Sequence, residues 1–317
     1  MIDDMSQITS LYVYKVIGQA SKGVETRDLV EGLGLSVDDP VDPSRMVDSD
    51  AYYDFFAALA QRDPEGTALS LRIGAAMRCD DYGAFGLAWK SAPNLRGSFT
   101  RSERYGRVLG SAETYSLNET PQGVFFQLEK AGDSRVGMLL SNEASLSAVD
   151  TICKEASSIP FKPLSIHFKH APQGDVAVYE SHFGCPVIFG SERDALLIDP
   201  ETVNAPNKLG DATIADFFDH HLDKELAFLS AEISFEQEVR RTVANLLSEG
   251  VPTLSIIASE LGIGTRTLQR RLADHGHSFQ SVVDLARQDL AQKLLKETSY
   301  SLAEVAFLTG FSEQSSF

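Results

Sequence analysis

Two stretches near the end of the chain repeat one pattern of apolar, small and glycine residues at a constant distance of 48 residues. The first stretch is TLSIIASELGIGTRTLQRRLADHG, and the second is SLAEVAFLTGFSEQSSF. The matching pairs are Leu254 and Leu302, Ile257 and Val305, Ala258 and Ala306, Gly262 and Gly310, and Ile263 and Phe311. This recurrence favours two copies of one small helical unit.

Each copy has the features of a helix-turn-helix, which needs apolar inner faces, a small residue where the helices cross, and glycine at the turn. In the first copy, Thr253 is placed to cap a helix, Ala258 is the small residue, and Gly262 is at the turn. In the second copy, Ser301 and Glu304 have the spacing of a capping box. We therefore predict that both copies form helical hairpins.

The second helix of the first copy carries side chains suited to reading DNA. Leu268 and Leu272 are four residues apart and are expected to face inward, which turns Arg266, Gln269 and Arg270 outward. Arginine pairs bidentately with guanine and glutamine with adenine, and each pairing contributes roughly 1–3 kcal/mol of discrimination. These three residues are therefore candidates for contacts with base edges.

Further candidate DNA contacts flank that face or open the corresponding helix of the second copy. Thr267 and Arg271 are expected to reach phosphates, which position a protein without specifying sequence. The remaining candidates are Thr265 in the first copy and Ser312, Glu313, Gln314 and Ser315 in the second.

A single helix is predicted between the two copies, over SFQSVVDLARQDLAQKLLKE. About 20 residues at 1.5 Å per residue make it roughly 30 Å long, which is close to one turn of the DNA duplex. Two recognition helices on one chain are then expected to enter successive major grooves.

The net charge of the chain, −17, argues against DNA as a partner, because phosphate binding depends on clustered Lys and Arg. The acidic excess is uneven, however. Residues 232–317 contain 8 basic and 11 acidic side chains, whereas residues 1–231 contain 20 and 34. The charge of the whole chain therefore says little about its C-terminal part.

The N-terminal part shows different patterns of apolar residues. Helical spacing prevails over the first hundred or so residues, and short alternating segments such as GVFFQLEK and PLSIHFKH follow. We predict an α+β N-terminal domain with a largely antiparallel sheet at 1–210, a helical linker at 211–233, and an all-α double helix-turn-helix domain at 234–317. The apolar face of a helix beginning near Ala212 is either a connector or a dimer seam.

The C-terminal stretch resembles the DNA-binding domain of the AraC/XylS family of bacterial transcription regulators. The resemblance is carried by IASELGIGTRTLQRRL, LARQDLAQKLL and SLAEVAFLTGFSEQSSF. The N-terminal part resembles the arabinose-binding-like sensor domain of one branch of that family, through DDYGAFGLAWKSAPNL and YESHFGCPVIFGSERDALLID.

The resemblance implies a regulator that binds double-stranded DNA and a small-molecule effector such as a sugar, an amino acid or a fatty acid. It also implies a homodimer, with RNA polymerase as a further partner, and leaves activation or repression open. In the family the second recognition helix continues well past the position of Phe317, so the second unit is expected to be incomplete, as if truncated.

The sequence gives little support for disulfides, metal sites or catalytic sites. Cys79, Cys153 and Cys185 lie far apart, which disfavours disulfides and thiolate metal sites. We expect no metal, no cofactor, no catalytic residue, no membrane partner and a cytoplasmic location. Phe85 and Trp89 are weak candidates for an effector pocket. The alternative function is a small-molecule binding or enzymatic domain whose C-terminal hairpins form a protein-interaction module.

Overall fold

The computed structural model describes residues 6–130, 135–247, 250–274, 276–297 and 300–311. The chain divides into two compact units between Leu226 and Ala227. The N-terminal unit contains helices and a sheet, whereas the described part of the C-terminal unit is helical. This architecture confirms the predicted fold class.

Several helices of the N-terminal unit begin where a side chain satisfies a free backbone amide. Thr9 accepts from the amide of Leu11, and Asp48 accepts from the amide of Ala51. The helices are α1 (Ser10–Gly18), α2 (Arg27–Gly32), α3 (Ser49–Arg62), α4 (Leu69–Ala76), α5 (Gly83–Ser91), α6 (Leu95–Tyr105), α7 (Val136–Ala156), α8 (Val176–Phe183) and α9 (Pro200–Asn204).

Strands of this unit form a two-stranded and a five-stranded sheet among the described residues. They are β1 (Gln7–Thr9), β2 (Met46–Asp48), β3 (Glu113–Thr120), β4 (Gly123–Lys130), β5 (Ser165–His167), β6 (Val187–Ile188) and β7 (Asp194–Ile198). The larger sheet has the order β3-β4-β7-β5-β6, and only the β5–β6 pair is parallel. The prediction of a largely antiparallel sheet is confirmed.

Two apolar cores lie in the N-terminal unit. One includes Trp89, Phe99, Phe126 and Leu146 and joins the sheet to α5, α6 and α7. The other packs α1, α3 and α4 against the start of α7. Helix α7 approaches α3 so closely that a Cβ on Gly137 would lie 1.8 Å from the carbonyl oxygen of Tyr53. Helix α7 contributes side chains to both cores, as α1 and α4 also do.

Helix α10 (Ala212–Leu246) runs from the N-terminal unit into the C-terminal unit. The helix continues through residue 232 without a break. The predicted domain limits of 1–210, 211–233 and 234–317 stay a prediction. Its first part is fastened to α6: Arg101 donates to both carboxylate oxygens of Asp219 at 2.9 and 2.6 Å, and Arg104 donates to Asp223 at 2.6 Å.

Within the described part of the chain, four further helices follow α10: α11 (Leu254–Glu260), α12 (Thr265–Asp274), α13 (Phe279–Glu297) and α14 (Leu302–Leu308). Helices α11, α12 and α13 share a core with the C-terminal part of α10, formed by Phe235, Val239, Val243, Leu247, Ile257, Ala258, Leu268, Leu272, Val282, Val283 and Ala286. The helix predicted between the two repeats is therefore confirmed as α13, with its apolar face in this core.

Two arginines tie this helical unit together with charged hydrogen bonds. Arg240 is 6% exposed and bonds Glu236 at 2.8 Å and Asp289 at 3.1 Å, which joins α10 to α13. Arg287 of α13 donates to the carbonyl oxygens of Thr309 and Gly310 at 3.2 and 2.8 Å. Its guanidinium also lies 4.3 Å from the ring centroid of Phe311. Arg287 therefore fixes the turn that follows α14.

A buried carboxyl group lies in the N-terminal unit. Glu143 on α7 is fully buried and accepts hydrogen bonds from Ser70 at 2.5 Å and Tyr179 at 2.9 Å. His170 Nε2 lies 3.6 Å from its Oε1. Burial raises the pKa of Glu143 from 4.5 to about 7, and the nearby charge of Asp194 acts in the same direction.

We predict that Glu143 makes the protein less stable as pH rises. Between the ordinary pKa of a glutamate, 4.5, and a pH of about 7, Glu143 keeps its proton in the folded protein but releases it in the unfolded chain. The free energy of unfolding therefore falls through this window, by an amount on the order of 3 kcal/mol for this group. Urea unfolding at several pH values should show a weaker fall for Glu143→Gln than for wild type. The exposed control Glu31→Gln should keep the wild-type fall, and identical slopes for all three proteins would contradict the prediction.

We predict that Arg287→Ala loosens the turn after α14, because it removes two charge-assisted hydrogen bonds and the ring contact. The expected loss is about 2 kcal/mol of local stability. Hydrogen exchange at the amides of Thr309, Gly310 and Phe311 measures it, and exchange should speed up by about tenfold or more. The exposed Arg241 provides the control, since Arg241→Ala should leave these amides unchanged. Equal protection in wild type and Arg287→Ala would refute the role.

Candidate functional site

The first helix-turn-helix consists of α11, a short turn and α12. Thr253 caps α11, accepting from the amide of Ile256 at 3.4 Å. The chain then turns at Gly262, whose φ of +66° lies in the left-handed region that glycine adopts without strain. The amide of Ile263 donates to the carbonyl of Ala258 at 2.9 Å and closes the turn. The predicted cap and turn are confirmed.

The apolar face of α12 is buried against α11. Leu268 and Leu272 are essentially inaccessible to solvent and pack in one core with Ile257 and Ala258. Because side chains four residues apart lie on one face of a helix, this packing leaves the opposite face of α12 in solvent. The exposed residues of that helix include Thr265, Arg266, Thr267, Gln269 and Arg270. The structure thus brings five of the predicted DNA-contacting residues onto one short helix.

Arg271 differs from those five residues. Its guanidinium lies 3.6 Å from the ring centroid of Phe235 on α10, and its side chain is half-buried. A cation over an aromatic face is stabilised by the ring quadrupole, and more so when it is partly desolvated. Arg271 therefore helps to hold α12 against α10. Its predicted contact with phosphate stays a prediction.

The second copy of the repeat has the same backbone hydrogen bonds at its turn as the first copy. The amide of Phe311 donates to the carbonyl of Ala306 at 3.0 Å, as that of Ile263 does to Ala258 in the first unit. Gly310, like Gly262, has a positive φ, of +78°. The capping box of Ser301 and Glu304 is present. The predicted candidates that open its second helix, Ser312, Glu313, Gln314 and Ser315, lie outside the described residues.

A small cavity lies in the N-terminal unit, with a volume of about 40 Å³. Phe85 is in its wall, and its predicted contact with an effector stays a prediction. Trp89 is one layer behind, where its indole Nε1 donates at 3.1 Å to Ser102 Oγ, a wall atom. Reasoning from sequence missed the other aromatic wall residues, which come from four separate elements or turns and share no spacing. They are Tyr12, Tyr52, Tyr82 and Tyr115.

Residues that could suggest a metal or catalytic site make structural contacts instead. Asp219 and Asp223 bind the arginines of α6, and His221 lies 3.1 Å from Glu225 on its own helix. Cys185 is buried, and burial raises the pKa of its thiol to about 11. Within the described segments, no three His, Cys, Asp or Glu residues gather as metal ligands, and no helix is long and apolar enough to cross a membrane.

Comparison with known proteins matches both units. The arabinose-binding N-terminal domain of the AraC transcription regulator matches residues 23–207, over half of the chain, and a helix-turn-helix domain matches residues 257–317.

Two bacterial regulators and one solved structure illustrate the individual matches. The ornithine utilization regulator of Pseudomonas aeruginosa is 26% identical over 79% of this chain and 74% of its own. The uncharacterized HTH-type transcriptional regulator Rv1395 of Mycobacterium tuberculosis is 23% identical over 97% of this chain and 91% of its own. The crystal structure of the transcriptional regulator CdpR from P. aeruginosa has a TM-score of 0.47 and 19% identity, covering 96% of this chain and 92% of that one.

The α+β unit with its small cavity, the helix-turn-helix of α11 and α12, the matching turn after α14 and the agreement with both domain models lead to one assignment. The chain belongs to the AraC family of transcription regulators with an arabinose-binding N-terminal domain, and it is a ligand-responsive DNA-binding regulator.

Proposed function

We propose that α12 enters the major groove of an operator and reads base edges with Arg266, Gln269 and Arg270. The observation that carries this proposal is the burial of Leu268 and Leu272, which leaves these three side chains exposed on one helix. Arginine and glutamine offer the bidentate donor and acceptor patterns that distinguish guanine and adenine in that groove.

Contacts to phosphate are proposed for the residues around that face. Thr265 and Thr267 are exposed in the first turn of α12, where hydroxyls and free helix amides suit phosphate oxygens. Arg271 can give up part of its contact with Phe235 to reach the backbone. The residues from Ser312 to Ser315 are proposed to serve the second hairpin in the same way, in a successive major groove.

Three further features complete the proposal. The N-terminal unit binds the effector, the chain acts in the bacterial cytoplasm where the operator lies, and RNA polymerase is a partner at the promoter.

We also propose a homodimer, which accords with the exposed Ile214 and Phe217 on α10. Sedimentation velocity should then give twice the 34.6 kDa of one chain, and a purely monomeric protein at micromolar concentration would contradict the dimer.

We predict that Arg266→Ala and Arg270→Ala each weaken binding to an operator selected from random duplexes by the wild-type protein. Each should cost about 1–3 kcal/mol at fixed salt and relax discrimination at one base pair, because a bidentate contact is lost. Titration of labelled duplexes with single base-pair changes measures both effects.

The exposed Arg107 in the N-terminal unit supplies a control with the same loss of charge. Arg107→Ala should bind all duplexes as wild type does. Unchanged affinity and unchanged base preference in both α12 variants would remove α12 from its proposed role. An equal loss on every duplex would reassign the two arginines to phosphate contacts.

A further inference from the structure

The cavity in the N-terminal unit has a mainly apolar wall. Helix α7 contributes Ala148, Val149 and Ile152, and other elements add Met77 and Phe85. None of the residues in the wall carries a formal charge at neutral pH. Transfer of an ion into such a space would lose its hydration without a partner in the wall, which costs several kcal/mol or more.

A buried ion pair lies directly behind one end of this wall. The side chains of Lys130 and Glu113 are 1% and 6% exposed, and Lys130 Nζ lies 3.2 Å from Glu113 Oε2. Each partner also bonds a hydroxyl that lines the cavity. Lys130 donates to Ser141 Oγ at 2.8 Å, and Glu113 accepts from the hydroxyl of Tyr115. A buried pair of this kind is expensive to desolvate and contributes little net stability.

The ion pair decides what the two hydroxyls offer to an occupant. Ser141 accepts from Lys130 and is hydrogen-bonded to Tyr52, another residue of the wall, so this pair of hydroxyls keeps one hydrogen for an occupant. Tyr115 gives its hydrogen to Glu113, so only its oxygen lone pairs remain. Burial raises the pKa of Tyr115 well above its ordinary value, which keeps the phenol protonated. The wall therefore presents a donor and an acceptor without net charge.

We propose that this cavity is the effector site and that it takes a small uncharged molecule with an apolar body and one hydroxyl or amide group. A hydroxyl or amide both donates and accepts, so it satisfies Ser141 and Tyr115 together, while the apolar body fills the space beside Met77 and Phe85. The inference rests on the proposed role of the N-terminal unit in effector binding and gives that role a site and a ligand class.

The small size of the cavity means that binding of an effector must displace its walls. The volume of about 40 Å³ is well below the roughly 150 Å³ of an engineered apolar cavity that holds benzene. An occupant with a carbon skeleton must therefore push the walls apart, and α7 supplies much of the wall. Trp89 reports this displacement, because its indole bonds Ser102 in the wall and it is the only tryptophan in the chain.

Tryptophan fluorescence of the full chain tests the proposal with three probes that share one ring: cyclohexanol, cyclohexanecarboxylate and cyclohexylammonium. None of the three absorbs where tryptophan is excited. Cyclohexanol should change the Trp89 emission saturably, and the two ions should bind at least about tenfold more weakly. A response to cyclohexanol that does not saturate, or equal affinity for all three probes, would overturn the proposal.

Variants then test the two hydroxyls. Tyr115→Phe removes the acceptor and Ser141→Ala removes the donor, so each should weaken cyclohexanol binding by about tenfold, the value of one hydrogen bond. Tyr14→Phe is the matched control, because the Tyr14 hydroxyl bonds the carbonyl of Ser36 outside the cavity. Unchanged binding in both cavity variants would refute the site. If either variant fails to fold, as judged by circular dichroism, the wild-type probe series still decides.

Operator binding by the same samples separates this proposal from the proposed function. Wild-type protein that binds the operator but shows no preference for cyclohexanol keeps its role as a DNA-binding regulator and loses the proposed effector site. Wild-type protein that prefers cyclohexanol but binds no duplex keeps the site and loses the proposed role of α12.

Discussion

The burial of Leu268 and Leu272 is the constraint on which the DNA-binding face depends. Their side chains fill the core between α11 and α12, so the rotation of α12 about its own axis is set by packing rather than by the residues that read DNA. Arg266, Gln269 and Arg270 project into solvent as a consequence. The small Ala258 lets the two helices approach, and Gly262 supplies the positive φ that brings the chain back.

Much of this architecture was predictable because it depends on local patterns. The caps, the two glycine turns and the apolar spacing of α11, α12 and α14 are all short-range features, and the 48-residue repeat reappears as equivalent hydrogen bonds at Ile263 and Phe311. The short segment GVFFQLEK likewise predicted a strand, although Val124, Phe125 and Phe126 of β4 are all buried, so burial does not alternate along it. Effects that extend over a few residues can be interpreted from one sequence.

Contacts between distant residues could not be predicted in the same way. Nothing near Arg271 indicates that it stacks on Phe235, and nothing near Arg287 indicates that it holds the turn at Gly310. The cavity shows the same limit. Phe85 was chosen as a candidate from a local cluster of glycine and aromatic residues, whereas Tyr115 on β3 and Ser141 on α7 reach the cavity from elements far apart in the sequence. Such contacts arise from tertiary packing, which no spacing rule encodes.

The central claim is that a chain with a net charge of −17 binds duplex DNA through its less acidic helical unit. The most direct measurement is the operator affinity of the full chain over a series of salt concentrations. The logarithm of the binding constant should fall linearly with the logarithm of salt concentration, with a slope of about −0.9 for each phosphate that an arginine or lysine neutralises. A slope near zero, or no binding at low salt, would contradict the account.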